Sequence, residues 1–127
     1  MQRWMPYLLV GMGSFLGGNA RYLVSRWLPT AEGRLPLATL LINLGGSFVL
    51  GVLGGVLAAR ATPHAPALRL ALGVGFSGGF TTFSTFAFEN AALLEDGRWP
   101  TAAAYMALSL LLGLAAVRAG LLTARWL

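Results

Sequence analysis

Apolar positions in this chain fall into four blocks separated by short polar linkers. The first covers residues 4–20, Trp4 to Ala20, and stops at Arg21; the span it belongs to is placed at about 4–28. The second, 35–59, holds no charged residue over its whole length. The third, 67–94, has a polar, glycine-rich middle, and the fourth runs over about 101–122. A helix needs about 20 apolar residues to cross a bilayer, so each block predicts one transmembrane helix. The linkers carry turn signals: Pro29 to Arg34, then Arg60 to Pro66 with Pro63 and Pro66, then Glu95 to Pro100 with Asp96-Gly97 and Trp99-Pro100. Trp4, Trp27, Trp99 and Trp126 sit at the block ends, where amphipathic rings favour the membrane–water interface.

Composition agrees with the pattern. The 127 residues are 57% hydrophobic and 10% charged. Ordinary soluble domains carry about 25% charge. Four spans with short loops use up the chain as a single transmembrane unit over 1–127, leaving no room for a soluble nucleotide-binding or zinc-binding module. Cysteine chemistry is absent, and a signal peptide behind Arg3 fits poorly, because the first block is too long and no soluble mature domain follows. The net charge of +5 comes from nine arginines scattered singly between apolar runs, a spacing that suits membrane flanks better than nucleic acid.

Orientation is poorly specified. With four spans, Arg3, Arg60, Arg69, Arg118 and Arg125 share one side, and Arg21, Arg26, Arg34 and Arg98 the other. Cytoplasmic loops normally hold a clear excess of Lys and Arg, and five against four is no excess. Either the chain inserts one way on weak signals, or it inserts both ways and opposite copies pair as an antiparallel dimer.

Within the blocks, Thr39, Asn43, Ser47, Gly51 and Gly55 recur every fourth residue and lie along one helix stripe. The Gly51/Gly55 end reads as a packing seam. Asn43 is less easily explained, since an amide at membrane depth needs partners; the Thr39/Asn43 end has the character of a surface facing water or an ion. In the third block, Gly73, Gly75, Gly78 and Gly79 are followed by Thr81, Thr82, Ser84 and Thr85. Such a stretch is a poor continuous helix. It is either a glycine-kinked packing helix or a true break whose freed carbonyls can bind a cation. Phe83 and Phe86 alternate with hydroxyls there; as core they would only pack, but ring edges carry positive potential, and edges with hydroxyl donors can solvate a small anion without a fixed charge. Thr101, Tyr105, Ser109 and Gly113 form a similar stripe in the fourth block, open to both the packing and the polar reading. The acids are Glu32, Glu89, Glu95 and Asp96, the single histidine is His64 in a proline-rich loop, and no catalytic or metal-ligating constellation is visible, so an enzyme is not expected.

Three motifs resemble the fluoride channel family, also called the camphor-resistance CrcB family. GSFLGGNARY from Gly13 to Tyr22 is similar to the family's GGxxGAxxRY, departing at Ser14 and Gly18. TLLINLGGSF from Thr39 to Phe48 resembles its second-helix signature, and GFSGGFTTFSTF from Gly75 to Phe86, followed by Glu89, its most specific stretch. The resemblance implies a passive fluoride channel in the inner (plasma) membrane, multi-pass and all-α, with four transmembrane helices per subunit, the third broken, in an antiparallel dual-topology homodimer. It implies Asn43, Phe83 and Phe86 as pore-lining residues, with Thr82, Tyr105 and Ser109 as a hydroxyl track and Thr39 beside it. Arg21 would line the aqueous mouth. A central Na+ would be held by the main-chain carbonyls of Gly78 and Thr81 from both copies. Gly113 stands where the track can continue with another hydroxyl. The partners implied are fluoride, membrane lipid and a second copy, with no nucleic acid. A small dual-topology proton-coupled multidrug exporter is the alternative, and it would need a deep carboxylate, for which the spans offer only Glu89.

Overall fold

The computed structural model describes residues 3–28, 30–60 and 62–127; Pro29 of the first expected linker and Ala61 of the second lie outside them. Helix α1 spans Met5–Trp27 and opens with Pro6, whose missing N–H costs nothing in a first turn. Helix α2 spans Leu37–Ala59. Helix α3 occupies 65–80 and is built unevenly: an α-helical turn Ala65–Leu68, a π-helical stretch Arg69–Ser77, and a last turn Gly78–Phe80. Thr81 and Thr82 are extended, with ψ of 160° and 116°, and α4 then restarts at Phe83–Glu95. Helix α5 covers Trp99–Thr123 and tightens into a 3-10 turn at Ala124–Trp126. The expected interruption of the third helix is therefore present, at the Thr81–Thr82 step.

The π stretch accounts for part of the glycine-rich sequence. Its hydrogen bonds skip one residue more than an α-helix, and the Ser77 hydroxyl follows the same spacing by donating to the Leu72 carbonyl at 2.9 Å. The turn between α4 and α5 is equally local in origin. Gly97 sits at φ +71°, its N–H donates to the Leu94 carbonyl at 3.1 Å, and the Arg98 N–H donates to the Leu93 carbonyl at 2.8 Å. This is a left-handed glycine cap of the Schellman type, which satisfies carbonyls that the helix end leaves open.

Small residues decide how the helices meet. A Cβ on Gly13 would lie 2.8 Å from the Phe76 nitrogen, one on Gly17 2.8 Å from the Phe80 nitrogen, and one on Gly79 2.9 Å from the Ser14 Cα. Helices α1 and α3 therefore run parallel with their backbones in contact. A second parallel pair forms between α2 and α5: a Cβ on Gly51 would strike the Val117 carbonyl, and one on Gly120 would lie 2.7 Å from the Val52 nitrogen. Helices α2 and α3 are antiparallel, with Leu50 and Leu53 beside Gly73 and the Thr81 side chain against Gly46. The start of α1, the end of α2, the start of α3 and the end of α5 thus share one end of the molecule.

Little apolar surface is enclosed within one chain. Among the described residues, Ala38, Leu40, Ile42, Leu93, Ala102, Tyr105 and Ala124 are the buried apolar ones, while Met12, Phe15, Leu110, Leu111, Leu114 and Phe88 are exposed. Helices Leu37–Ala59 and Trp99–Trp126 are long and apolar enough to cross a membrane. An apolar exterior of this kind suits lipid or another hydrophobic partner rather than water.

The seams predict an asymmetric response to added methyl groups. Gly→Ala gains about 1 kcal/mol of helix propensity, whereas forcing a methyl into packed backbone costs about 1–3 kcal/mol or more. Gly54, with open space around it, should accept Ala at neutral or improved stability, and Gly51→Ala should lose stability. Thermal denaturation in detergent with size-exclusion profiles measures both; equal behaviour of the two variants would contradict the α2–α5 contact.

Candidate functional site: the helix break and its cavity

The break leaves the backbone polar groups of the buried Thr82 without helical partners. Asn43 of α2 supplies what is missing. Its Oδ1 accepts from the Thr82 N–H at 2.8 Å, and its Nδ2 donates to the Thr82 carbonyl at 3.1 Å. The amide orientation is fixed by chemistry, because a backbone N–H can only donate and a carbonyl can only accept. One Nδ2–H remains uncommitted. Thr82 in turn caps α4: its Oγ1 accepts from the Thr85 N–H at 3.2 Å and bonds the Thr85 hydroxyl at 3.0 Å, with Ser84 Oγ 3.3 Å away. On the other side of the break, the Ser77 carbonyl accepts both the Thr81 N–H, at 2.9 Å, and the Thr81 hydroxyl, at 2.8 Å.

A cavity of about 490 Å³ opens beside this step. Asn43, Thr82, Phe83, Phe86 and Ser109 line it, contributed by α2, the break, α4 and α5. Gly78 and Thr81 line it as well. Among the described residues, the Ser109 hydroxyl oxygen is buried with no hydrogen-bond partner. Phe83 is 78% exposed, and its ring centroid lies 5.8 Å from that of the half-buried Phe86. Phe86 meets Tyr105 edge-on at 5.0 Å.

Thr39 and Tyr105 are not on the cavity wall. Both are buried, and both donate to one carboxylate: Thr39 Oγ1 to Glu89 Oε1 at 2.8 Å, Tyr105 OH to Glu89 Oε2 at 2.7 Å. Glu89 is thus part of the polar cluster that adjoins Phe86. Its position in an apolar span was the available signal, since a carboxylate there requires partners; which partners it has follows only from the fold. Ser47 and Ser77 also line the cavity, beyond the residues expected from sequence. Arg21 is half-buried on α1, apart from the cavity lining, and Gly113 has open space around it.

Among the described residues, no group of His, Cys, Asp or Glu could hold a metal ion. A cation would need backbone oxygen; with the Ser77 carbonyl taken up by Thr81, the end of α3 offers those of Gly78, Gly79 and Phe80. Gly78 has open space where a side chain would stand. The donor set therefore fits a hard monovalent cation such as Na+.

The family model described as CrcB-like protein, Camphor Resistance (CrcB), matches residues 8–121, which takes in α2, α3, the break and α4 whole and most of α1 and α5. The chain belongs to the CrcB family. CrcB relatives of similar length include one from Chlorobium chlorochromatii (strain CaD3), 46% identical over 120 residues, covering 94% of this chain and 92% of its own. Another, from Anaeromyxobacter dehalogenans, is 48% identical over 122 residues, covering 94% and 95%. A third, from Geobacillus kaustophilus, is 44% identical over 106 residues, covering 84% and 86%. The first two are named fluoride-specific ion channel FluC, and the third fluoride-specific ion channel FluC 1.

The Asn43 clamp makes a local prediction for this CrcB chain. Asn43→Leu leaves a buried N–H and a buried carbonyl unpaired, each costing about 1–3 kcal/mol. Hydrogen exchange at the Thr82 amide should accelerate by about tenfold or more, while amides in the middle of α5 stay protected. Unchanged exchange at Thr82 would mean that the clamp does not hold the break.

Proposed function

We propose that this chain is a fluoride-selective channel that lets fluoride leave the cytoplasm passively. It is a channel and not an enzyme, in keeping with the names of its relatives. The observation that carries the reading is the cavity at the break, where the Phe83 and Phe86 rings meet the unpartnered Ser109 hydroxyl and the spare N–H of Asn43. None of these groups bears a full charge. Hydroxyl, amide N–H and ring edge are each weakly positive toward an anion, enough to replace part of a hydration shell without trapping the ion. Thr82 lines the same cavity, Thr39 and Tyr105 stand behind it with their hydroxyl protons given to Glu89, and Arg21 concentrates anions at the wide mouth. Glu89, the deep carboxylate that a proton-coupled exporter would need free, has both oxygens engaged by Thr39 and Tyr105.

The working unit in this proposal is two copies in opposite orientation in the plasma membrane, each crossing it four times as one transmembrane domain. The exposed faces of α1 and α4, including Phe15, Phe83 and Phe88, are what a second copy would cover in part. The carbonyls of Gly78 and Thr81 from both copies would hold a central Na+, which would neutralise the carbonyl ends of the two α3 helices.

The function is tested by fluoride efflux from liposomes holding the purified protein. Wild type should pass fluoride down its gradient when potassium and an ionophore balance the charge. Phe83→Ile and Phe86→Ile keep most of the bulk, so stability should change by less than about 1.5 kcal/mol. Flux per intact dimer should fall about tenfold or more, equivalent to about 1.4 kcal/mol on the barrier. Normal flux in both variants would remove the rings from the path. The dual-topology arrangement is read separately. Because the chain has no cysteine, one introduced at the exposed Asp96 should label from both sides of the membrane; labelling from one side only refutes the arrangement.

A further inference from the structure

The two ends of the molecule differ in a way that the count of arginines hides. The end that gathers the start of α1, the end of α2, the start of α3 and the end of α5 carries Arg3, Arg60, Arg69, Arg118 and Arg125 and no acidic side chain, because no Asp or Glu occurs in 1–31, 33–88 or 97–127. Glu32, Glu95 and Asp96 all lie in or beside the loops of the opposite end. Two of the arginines at the acid-free end line a common cavity of about 380 Å³ between Gly55, Ala58 and Ala59 of α2 and Arg118, Leu121 and Arg125 of α5 and its final turn.

We infer that this cavity binds the headgroup of one anionic phospholipid, with its phosphate between Arg118 and Arg125. Arg118 stands near the end of α5 and Arg125 in the 3-10 turn that follows, and both line this one cavity, so the two guanidiniums can serve one headgroup. The seam residues Gly55, Ala58 and Ala59 have no side chain beyond Cβ, which leaves the volume open. Leu121 and Leu122, 39% and 41% exposed, flank the arginines and offer an apolar surface for the start of an acyl chain. The carbonyl ends of α2 and α5 oppose an anion, but each amounts to only about half a charge. Two guanidiniums outweigh them, and planar guanidinium is well matched to phosphate oxygens. A membrane lipid, rather than a free anion, is favoured because the site pairs its charges with that apolar surface, the combination that basic pockets between membrane helices present to lipid.

Native mass spectrometry of the detergent-purified protein tests this without reference to ion flux. With phosphatidylglycerol and phosphatidylcholine supplied in equal amounts, wild type should retain phosphatidylglycerol preferentially, about one per chain. Arg118→Gln/Arg125→Gln should weaken that retention by about thirtyfold. Arg26→Gln/Arg34→Gln, which removes the same charge at the opposite end, should leave it intact. A photoactivatable phosphatidylglycerol should label wild type within 118–125, which keeps the test decisive if the double glutamine variant does not fold. Equal retention of the two lipids, loss in both double variants alike, or labelling elsewhere would overturn the inference. Displacement of the lipid by millimolar inorganic phosphate would also overturn it, by marking the cavity as a small-anion site.

Discussion

Asn43 gives Thr82 the two hydrogen bonds that a continuous helix would have given it, and the polar architecture of the molecule follows from that exchange. Breaking a helix inside an apolar medium costs several kcal/mol for each backbone group left unpaired. A primary amide is the smallest side-chain group that can donate and accept in the geometry of a peptide, so one residue on a neighbouring helix can carry the break. Once it is carried, α4 can start in a new direction, capped by Thr82 itself, and Phe83 and Phe86 turn into the cavity beside it.

The clamp depends on helix packing that brings α2 close enough to reach. The two parallel pairs, α1 with α3 and α2 with α5, are each closed by glycines whose missing side chains let backbone meet backbone. In a membrane such contact is the main source of helix association, because lipid tails are as apolar as leucine and burial alone gives no advantage. The seams therefore act as spacers: they set the distance across which Asn43 reaches Thr82, and Glu89 reaches Thr39 and Tyr105. The chain's enclosed core is correspondingly small, and its apolar surface faces outward.

Polarity along the path is arranged in two layers. Next to the cavity stand groups with no net charge, Ser109 with a free hydroxyl and the two phenyl rings. Behind Phe86, the carboxylate of Glu89 is held between two hydroxyls rather than left facing the open volume. Weakly polar groups thus stand in front, and a carboxylate committed to two hydroxyls stands behind.

The four apolar blocks, their turns and the site of the break were legible in the sequence, because each depends on properties of adjacent residues. Helix length follows hydropathy, the α4–α5 turn follows Asp96-Gly97, and glycines followed by threonines make a poor continuous helix, which left a kink or a break as the two outcomes. Of the pore candidates named from local pattern and family resemblance, Asn43, Thr82, Phe83, Phe86 and Ser109 line one cavity, while Thr39 and Tyr105 are buried against Glu89 instead. What only the tertiary structure decided is how polar groups pair across helices. Asn43 meets Thr82 across 39 residues, Thr39 meets Glu89 across 50, and Tyr105 meets Glu89 across 16. Such pairings depend on the rotation of each helix about its axis and its height against its neighbour. Those are set by which glycines touch which backbone, a relation between distant segments that no window of sequence contains.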